Sequence, residues 1–480
     1  MYFLEHIFLN LKKILRRFFY IGSCVYYPRF LFARVAELAD AQDLGSCSAR
    51  SVGSIPISRT ILFFQRLGIV ESCWVVMHSL NPDILSLIHD AASIRRWNDQ
   101  INPMDFTELD KQAHKMIISY VLAKFEEDAN AAEIDWKRLI EGSIFEMLHR
   151  IVLTDIKPPV FYKMMSEKGK ELNEWVFQLL SDKVSPIAGG FFDRMKLYFR
   201  DHEYASMEKR ILKAAHFLAT QWEFDILYRM CPFINGIEKI KQEIEDQIED
   251  HFDLLGVQKL SLKRKTAGFV DLCGQLRFQK RWTQSPRIPR TSVLGHMLVV
   301  AILTYLALCE AGVSDVRIVN GFLGALFHDL PEALTRDITS PVKQAVSGLD
   351  KIISEYEQRE MENRLLPLLP TAWQPEIIYF TKDEFANKVI IDGEVRNDLT
   401  YDELAGHDSF EYKPVDGEVI RCCDHLAAFI EASLSIRHGV TSHSLTEGVD
   451  RLYAMYKNRQ VGPLNFAEAF MPFLPYEPKA

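Results

Sequence analysis

The sequence predicts an all-α fold, and three observations predict it. From Met77 onward, apolar residues recur at three- and four-residue intervals, the period of a helix buried on one face. Strand-like alternation is scarce. Residues able to carry chemistry sit singly inside apolar helical stretches or at their ends. His296 lies in Val-Leu-Gly-His-Met-Leu-Val-Val-Ala, His328-Asp329 ends Gly-Ala-Leu-Phe-His-Asp, and Asp424 lies in Ile-Arg-Cys-Cys-Asp-His-Leu.

Composition sets the outer limits. A chain of 480 residues has room for two or three domains. A 48% hydrophobic and 25% charged content is that of an ordinary globular protein. A net charge of −9 argues against a nucleic-acid polymer as partner. The eight cysteines form no Cys-x-x-Cys pair, which points to reduced thiols and a cytoplasmic setting.

Residues 1–76 differ from the rest. Their first part is aromatic and basic (Lys12, Lys13, Arg16, Arg17), but charge interrupts every apolar run, so neither a signal peptide nor a membrane anchor is expected. Residues 34–60 read like a tRNA gene translated in frame; Gly53-Ser54-Ile55-Pro56 can be encoded by a T-arm. The expectation is that 1–76 is a non-native extension and that translation starts at Met77.

Residues 77–265 are expected to be helical almost throughout, with helices over 109–127, 136–151, 171–181, 188–199, 207–230 and 237–252. This half echoes the second. Leu148-His149-Arg150 with Pro158-Pro159-Val160 resembles Phe327-His328-Asp329 with Ser340-Pro341-Val342. Residues 211–223 resemble 419–431, and His114 is paired with His296. Arg150 then stands at the place of Asp329, and His216 at that of Asp424. An arginine cannot ligate a cation, so this half is expected to be a degenerate copy.

Residues 266–480 are expected to hold helices at 266–277, 291–311, 316–327, 341–366, 419–438 and 445–456. A polar insertion at 383–417 interrupts them, and alternation at Lys388–Ile391 suggests a short hairpin or lid. His296, His328, Asp329 and Asp424 together offer nitrogen and oxygen ligands to one divalent cation: Mn, Co, Fe, Ni or Zn. His328 and Asp329 diverge by about 100° on a regular helix. They meet one ion only near a helix end, which Pro331 marks. Glu332 is placed to orient a water or take its proton, and Asp337 to give one to a leaving oxygen.

This set resembles the signature of the HD phosphohydrolase superfamily and, within it, the bacterial 5′-deoxynucleotidase branch. The likeness spans residues 270–460 and includes Arg281-Trp282, fifteen residues before His296, and Ser340-Pro341-Val342-Lys343. It departs from the family at Gly295-His296-Met297, where Glu-His-Ser is usual, and in the 383–417 insertion. The resemblance implies an all-helical HD domain and a metal-dependent phosphomonoesterase acting on (deoxy)nucleoside 5′-monophosphates; the internal echo adds a degenerate HD-like domain before it. It implies that Arg281 holds the phosphate, that Trp282 packs near the sugar, and that Lys343 helps bind substrate. It assigns the water to Glu332 and leaving-group protonation to Asp337. A dNTP triphosphohydrolase, or a nucleotide-binding regulatory protein without turnover, are the alternatives. A small phosphorylated substrate is the expected partner, with no membrane, and a homodimer is in keeping with the family.

Overall fold

Helix ends in this protein are set by side-chain caps. Thr107, Asp135, Ser292 and Ser314 each accept a hydrogen bond from a backbone N–H in the first turn of the helix that follows. A computed structural model describes residues 77–475 except 103, 337–345, 347 and 398. The first 76 residues, with the expectation placed on them, lie outside the described residues, as do Asp337 and Lys343.

The described helices, in chain order, begin with α1 (Pro82–Asp90), α2 (Glu108–Asp128), α3 (Trp136–Leu153) and α4 (Pro158–Val184). Next come α5 (Phe191–Arg200), α6 (Ser206–Met230), α7 (Ile237–Glu249), α8 (Leu255–Ser261) and α9 (Lys265–Gln275). The second half contributes α10 (Val293–Ala311), α11 (Asp315–Phe327), α12 (Glu332–Thr335), α13 (Leu349–Glu360) and α14 (Gln374–Thr381). It ends with α15 (Tyr401–Ala405), α16 (Gly417–Arg437), α17 (His443–Tyr456) and α18 (Phe466–Phe470). The all-α expectation holds, and strands are confined to two short hairpins among the described residues.

α10 is the central element. It is apolar enough and long enough to cross a membrane, yet 94% of it is buried inside the protein, as befits a core helix. It packs against α11, α16 and α2. α2 in turn packs against α3 and α6. One continuous apolar core runs from Met77 to Phe473, so α2 and α10 share an interior. Burial on this scale, at about 25 cal/mol per Å² of apolar surface, is the main force holding the helices together.

Within 383–417, β1 (Val389–Ile391) pairs antiparallel with β2 (Glu394–Arg396). Asp392 and Gly393 close the hairpin with φ of 53° and 81°, the two left-handed residues of a type I′ turn. The segment rests on the start of α16, where a Cβ on Gly417 would lie 2.2 Å from Ala386 O. Only glycine permits that approach.

Candidate metal centre

The geometry follows from one helix end. α11 stops at Phe327, His328 is its C-cap, and the chain turns through Asp329 to Pro331 before α12 begins at Glu332. That turn lets neighbours 328 and 329 face the same point. His296, in the first turn of α10, comes from across the core. One ligand atom each from His296, His328 and Asp329 lies within 4.8 Å of the others. Asp424, from α16, adds its carboxylate, with Oδ1 2.8 Å from His296 Nε2. The structure thus gathers all four residues expected as ligands.

The group fits a cation. His328 Nδ1 donates to Ala325 O at 2.7 Å, which fixes the ring. Its Nε2 is buried and faces Asp329 Oδ2 at 3.2 Å, with no well-formed hydrogen bond. Buried polar atoms need a partner, and mixed imidazole and carboxylate donors suit a first-row divalent ion. Electrostatics agree. Burial alone would lower the His328 imidazole and raise the carboxylates. The charges oppose this: Asp329 and Asp424 lift His328 to about 9, and His328 holds Asp329 down at about 2. Asp424 is held low by His296 and His328 in the same way. A divalent cation bound here would release the His328 proton.

A second layer surrounds the ligands. Glu431, two turns beyond Asp424 on α16, is 2% exposed and its Oε1 lies 3.7 Å from His296 Nδ1. Such a carboxylate behind an imidazole orients the ring and sets its tautomer. Thr291 donates to Glu431 Oε1 at 2.6 Å, and Arg287 Nη1 lies 3.7 Å from Oε2. Burial would raise the Glu431 carboxyl, but Arg287, His296 and Arg281 hold it well below the usual range.

The expected substrate residues divide. Arg281 reaches the centre, with Nη1 3.6 Å from Asp329 Oδ2 and Nε 3.5 Å from Glu431 Oε2. Trp282 donates its indole N–H to Glu431 Oε2 at 3.0 Å and lies against Gly448, where a Cβ would meet the ring at 2.9 Å. Glu332 is buried and opens α12 directly behind the His-Asp turn.

Sequence reasoning missed Glu431, Arg287 and Thr291. The seven-residue spacing from Asp424 to Glu431, one helix face, was the signal for the first. It also missed the pocket of about 410 Å³ lined by Asp383, Glu384, Phe385, Ala386, Asn397 and Arg421. This pocket adjoins the ligands, because the Phe385 and His328 rings are 6.1 Å apart. Arg421 lies over Phe385 at 5.3 Å.

His296, His328, Asp329 and Asp424 thus stand together inside an all-α core, as the sequence resemblance led one to expect. Residues 273–453 match the HD domain family. A stretch of 55 residues, 12% of the chain, is 36% identical to a dATP triphosphohydrolase of Acinetobacter phage SH-Ab 15497. It spans about a quarter (27%) of that relative's length. An HD-domain phosphohydrolase from Listeria innocua aligns with 43% of this chain and 85% of its own, at 19% identity and a TM-score of 0.32.

Proposed function

We propose that the chain is a divalent-metal-dependent phosphohydrolase that releases phosphate from (deoxy)nucleoside 5′-monophosphates. The observation that carries this reading is the meeting of His296, His328 and Asp329 within 4.8 Å, inside the HD-domain segment, with the Arg281 guanidinium beside them.

His296, His328, Asp329 and Asp424 would hold the ion, which supplies Lewis acidity and a nucleophilic water near neutral pH. Arg281 presents a planar fork matched to phosphate oxygens. Glu332 takes a proton from the attacking water. The new bond joins water oxygen to phosphorus while the bond from phosphorus to the 5′ oxygen breaks. That oxygen leaves with a proton, a role given to Asp337. The nucleoside occupies the pocket of Glu384, Asn397 and Arg421, where Phe385 offers an apolar face. The free, buried Cys231, Cys273, Cys309, Cys422 and Cys423 support the cytoplasmic assignment.

A second reading, release of tripolyphosphate from dNTPs, is favoured by the 55-residue likeness to a dATP triphosphohydrolase. One panel separates them: dNMPs, NMPs and dNTPs, each with Mn²⁺, Co²⁺ or EDTA. Metal-dependent phosphate from dNMPs supports the first reading, and tripolyphosphate from dNTPs moves the protein to the second. No product from any member, with metal bound, refutes both and leaves the regulatory alternative.

A further inference from the structure

We infer that residues 94–223 are a second copy of the unit formed by residues 279–431, in which a lysine-centred ion cluster has taken the place of the metal centre. The chain then carries one metal site and one closed counterpart. The inference rests on the metal reading given above for the C-terminal site.

Three constant intervals carry it. The first is 185 residues, from Arg96-Trp97 to Arg281-Trp282. Both tryptophans adopt φ of 57°, a left-handed conformation rare for a bulky residue. Both donate the indole N–H to a glutamate oxygen: Trp97 to Glu223 at 2.9 Å, Trp282 to Glu431 at 3.0 Å. Both neighbouring arginines turn Nε to that same glutamate, at 2.9 Å and 3.5 Å. The backbone repeats as well. Arg96 N donates to Phe106 O and Arg281 N to Thr291 O, while Glu108 N donates to Ile94 O and Val293 N to Gln279 O. Bridges join Arg95 to Thr107 and Lys280 to Ser292, and Thr107 and Ser292 each cap the helix that follows.

The second interval is 179, from the cap Asp135 to the cap Ser314, and it superposes His149-Arg150 on His328-Asp329. The third is 208, from Glu223 to Glu431, and it superposes His216 on Asp424. The caps also correct the pairing expected from sequence. The residue matching His296 is Lys111, four beyond its cap; His114 lies almost one turn further on. His114 is engaged elsewhere, between Val270 O at 3.0 Å and Arg277 at 3.2 Å.

The chemistry at the four matched positions excludes a cation. Lys111 is fully buried and its Nζ contacts His216, as His296 contacts Asp424. Arg150 brings a fixed positive charge, 3.9 Å from Glu108 and 3.1 Å from Asp155. His149 spends its Nε2 on Asn173 Oδ1 at 2.9 Å. Lys115 and Glu146 pair alongside. Lys115 and Arg150 have carboxylate partners in Glu146 and Asp155, Lys111 meets the His216 imidazole, and the matched positions 111, 149, 150 and 216 supply no carboxylate to bind an ion.

The test is metal stoichiometry on the full chain, by elemental analysis after loading with Mn²⁺ and gel filtration. One ion per chain is expected, falling to none in Asp329→Ala/Asp424→Ala. Two ions per parent chain, with one retained by that double variant, would overturn the inference alone; a single parent ion that survives the double variant would overturn the C-terminal metal reading as well. No ion on the parent would instead overturn the metal reading of the C-terminal site and this inference with it. A combined Lys111→His/Arg150→Asp/His216→Asp variant rebuilds the missing donors, and its content should rise from one ion to two. A folded variant that stays at one would refute the positional match. If it does not fold, the parent count still decides.

Discussion

Arg317 and Asp416 form a buried, bidentate ion pair, with Nε 2.6 Å from Oδ2 and Nη2 2.5 Å from Oδ1. Arg317 lies on α11, which ends at His328, and Asp416 caps α16, which carries Asp424. The pair therefore ties the helix that leads into His328 and Asp329 to the helix that carries Asp424. Arg317→Met strands a carboxylate that burial already pushes upward. Breaking such a pair from one side costs about 3–5 kcal/mol. Chemical denaturation should show that loss, and metal titration should show weaker binding. A midpoint equal to the parent's would contradict the account.

Removing a ligand and removing a proton acceptor should differ. Asp329→Ala is expected to lose both bound metal and turnover. Glu332→Gln should keep the metal and slow turnover by about 10²–10⁴-fold, the usual contribution of a general base. Elemental analysis beside a phosphate-release assay reads both. Parent-like rates in Glu332→Gln would remove that residue from the mechanism.

Glu431 touches no substrate in this account, yet it backs His296 and receives the Trp282 indole. Glu431→Gln should weaken metal affinity about 10–100-fold, as is typical for the partner of a ligating histidine. Isothermal titration with Mn²⁺ measures it. Unchanged affinity would mean that α10 packing alone orients the imidazole.

Trp282→Ala bears on sugar selectivity. If the indole disfavours a 2′-hydroxyl, the variant should hydrolyse ribonucleotides relatively faster. The ratio of kcat/KM for dNMP and NMP is the quantity to compare. A constant ratio would restrict Trp282 to the hydrogen bond with Glu431.

Stability should fall on mild acidification. Burial, with Arg277 second, pushes the His114 imidazole down to about 3. The unfolded chain takes up this proton near the ordinary value of 6.5, while the folded chain resists until about 3. The contribution is therefore full above 6.5 and is lost as pH falls, by up to about 1.4 kcal/mol per unit. His89, His149 and His216 are lowered by burial too. His114→Gln, whose amide can still meet Val270 O and Arg277, should flatten the decline in Tm between pH 7 and 5 without abolishing it. An identical slope would count against a neutral His114.

Local pattern alone determined most of the long helices, because a 3.6-residue apolar period is written in adjacent residues, but it did not mark the short α1, α8 and α14. It also picked out His296, His328, Asp329 and Asp424, each a polar residue in an apolar stretch whose burial demands a partner. The turn after His328 was legible from Pro331, and a hairpin was suggested by alternation at Lys388–Ile391. Tertiary structure decided what depends on distance. It showed that α10, apolar enough for a membrane, is the centre of a core. It brought Glu431 behind His296, and Phe385 beside His328 across 57 residues of chain. It fixed the helix caps Thr107 and Ser292, from which Lys111 and His296 each stand four residues on, whereas in sequence a histidine one turn along the same helix looks equivalent. Contacts between remote segments are set by how whole helices pack, and no short stretch of sequence encodes that alone.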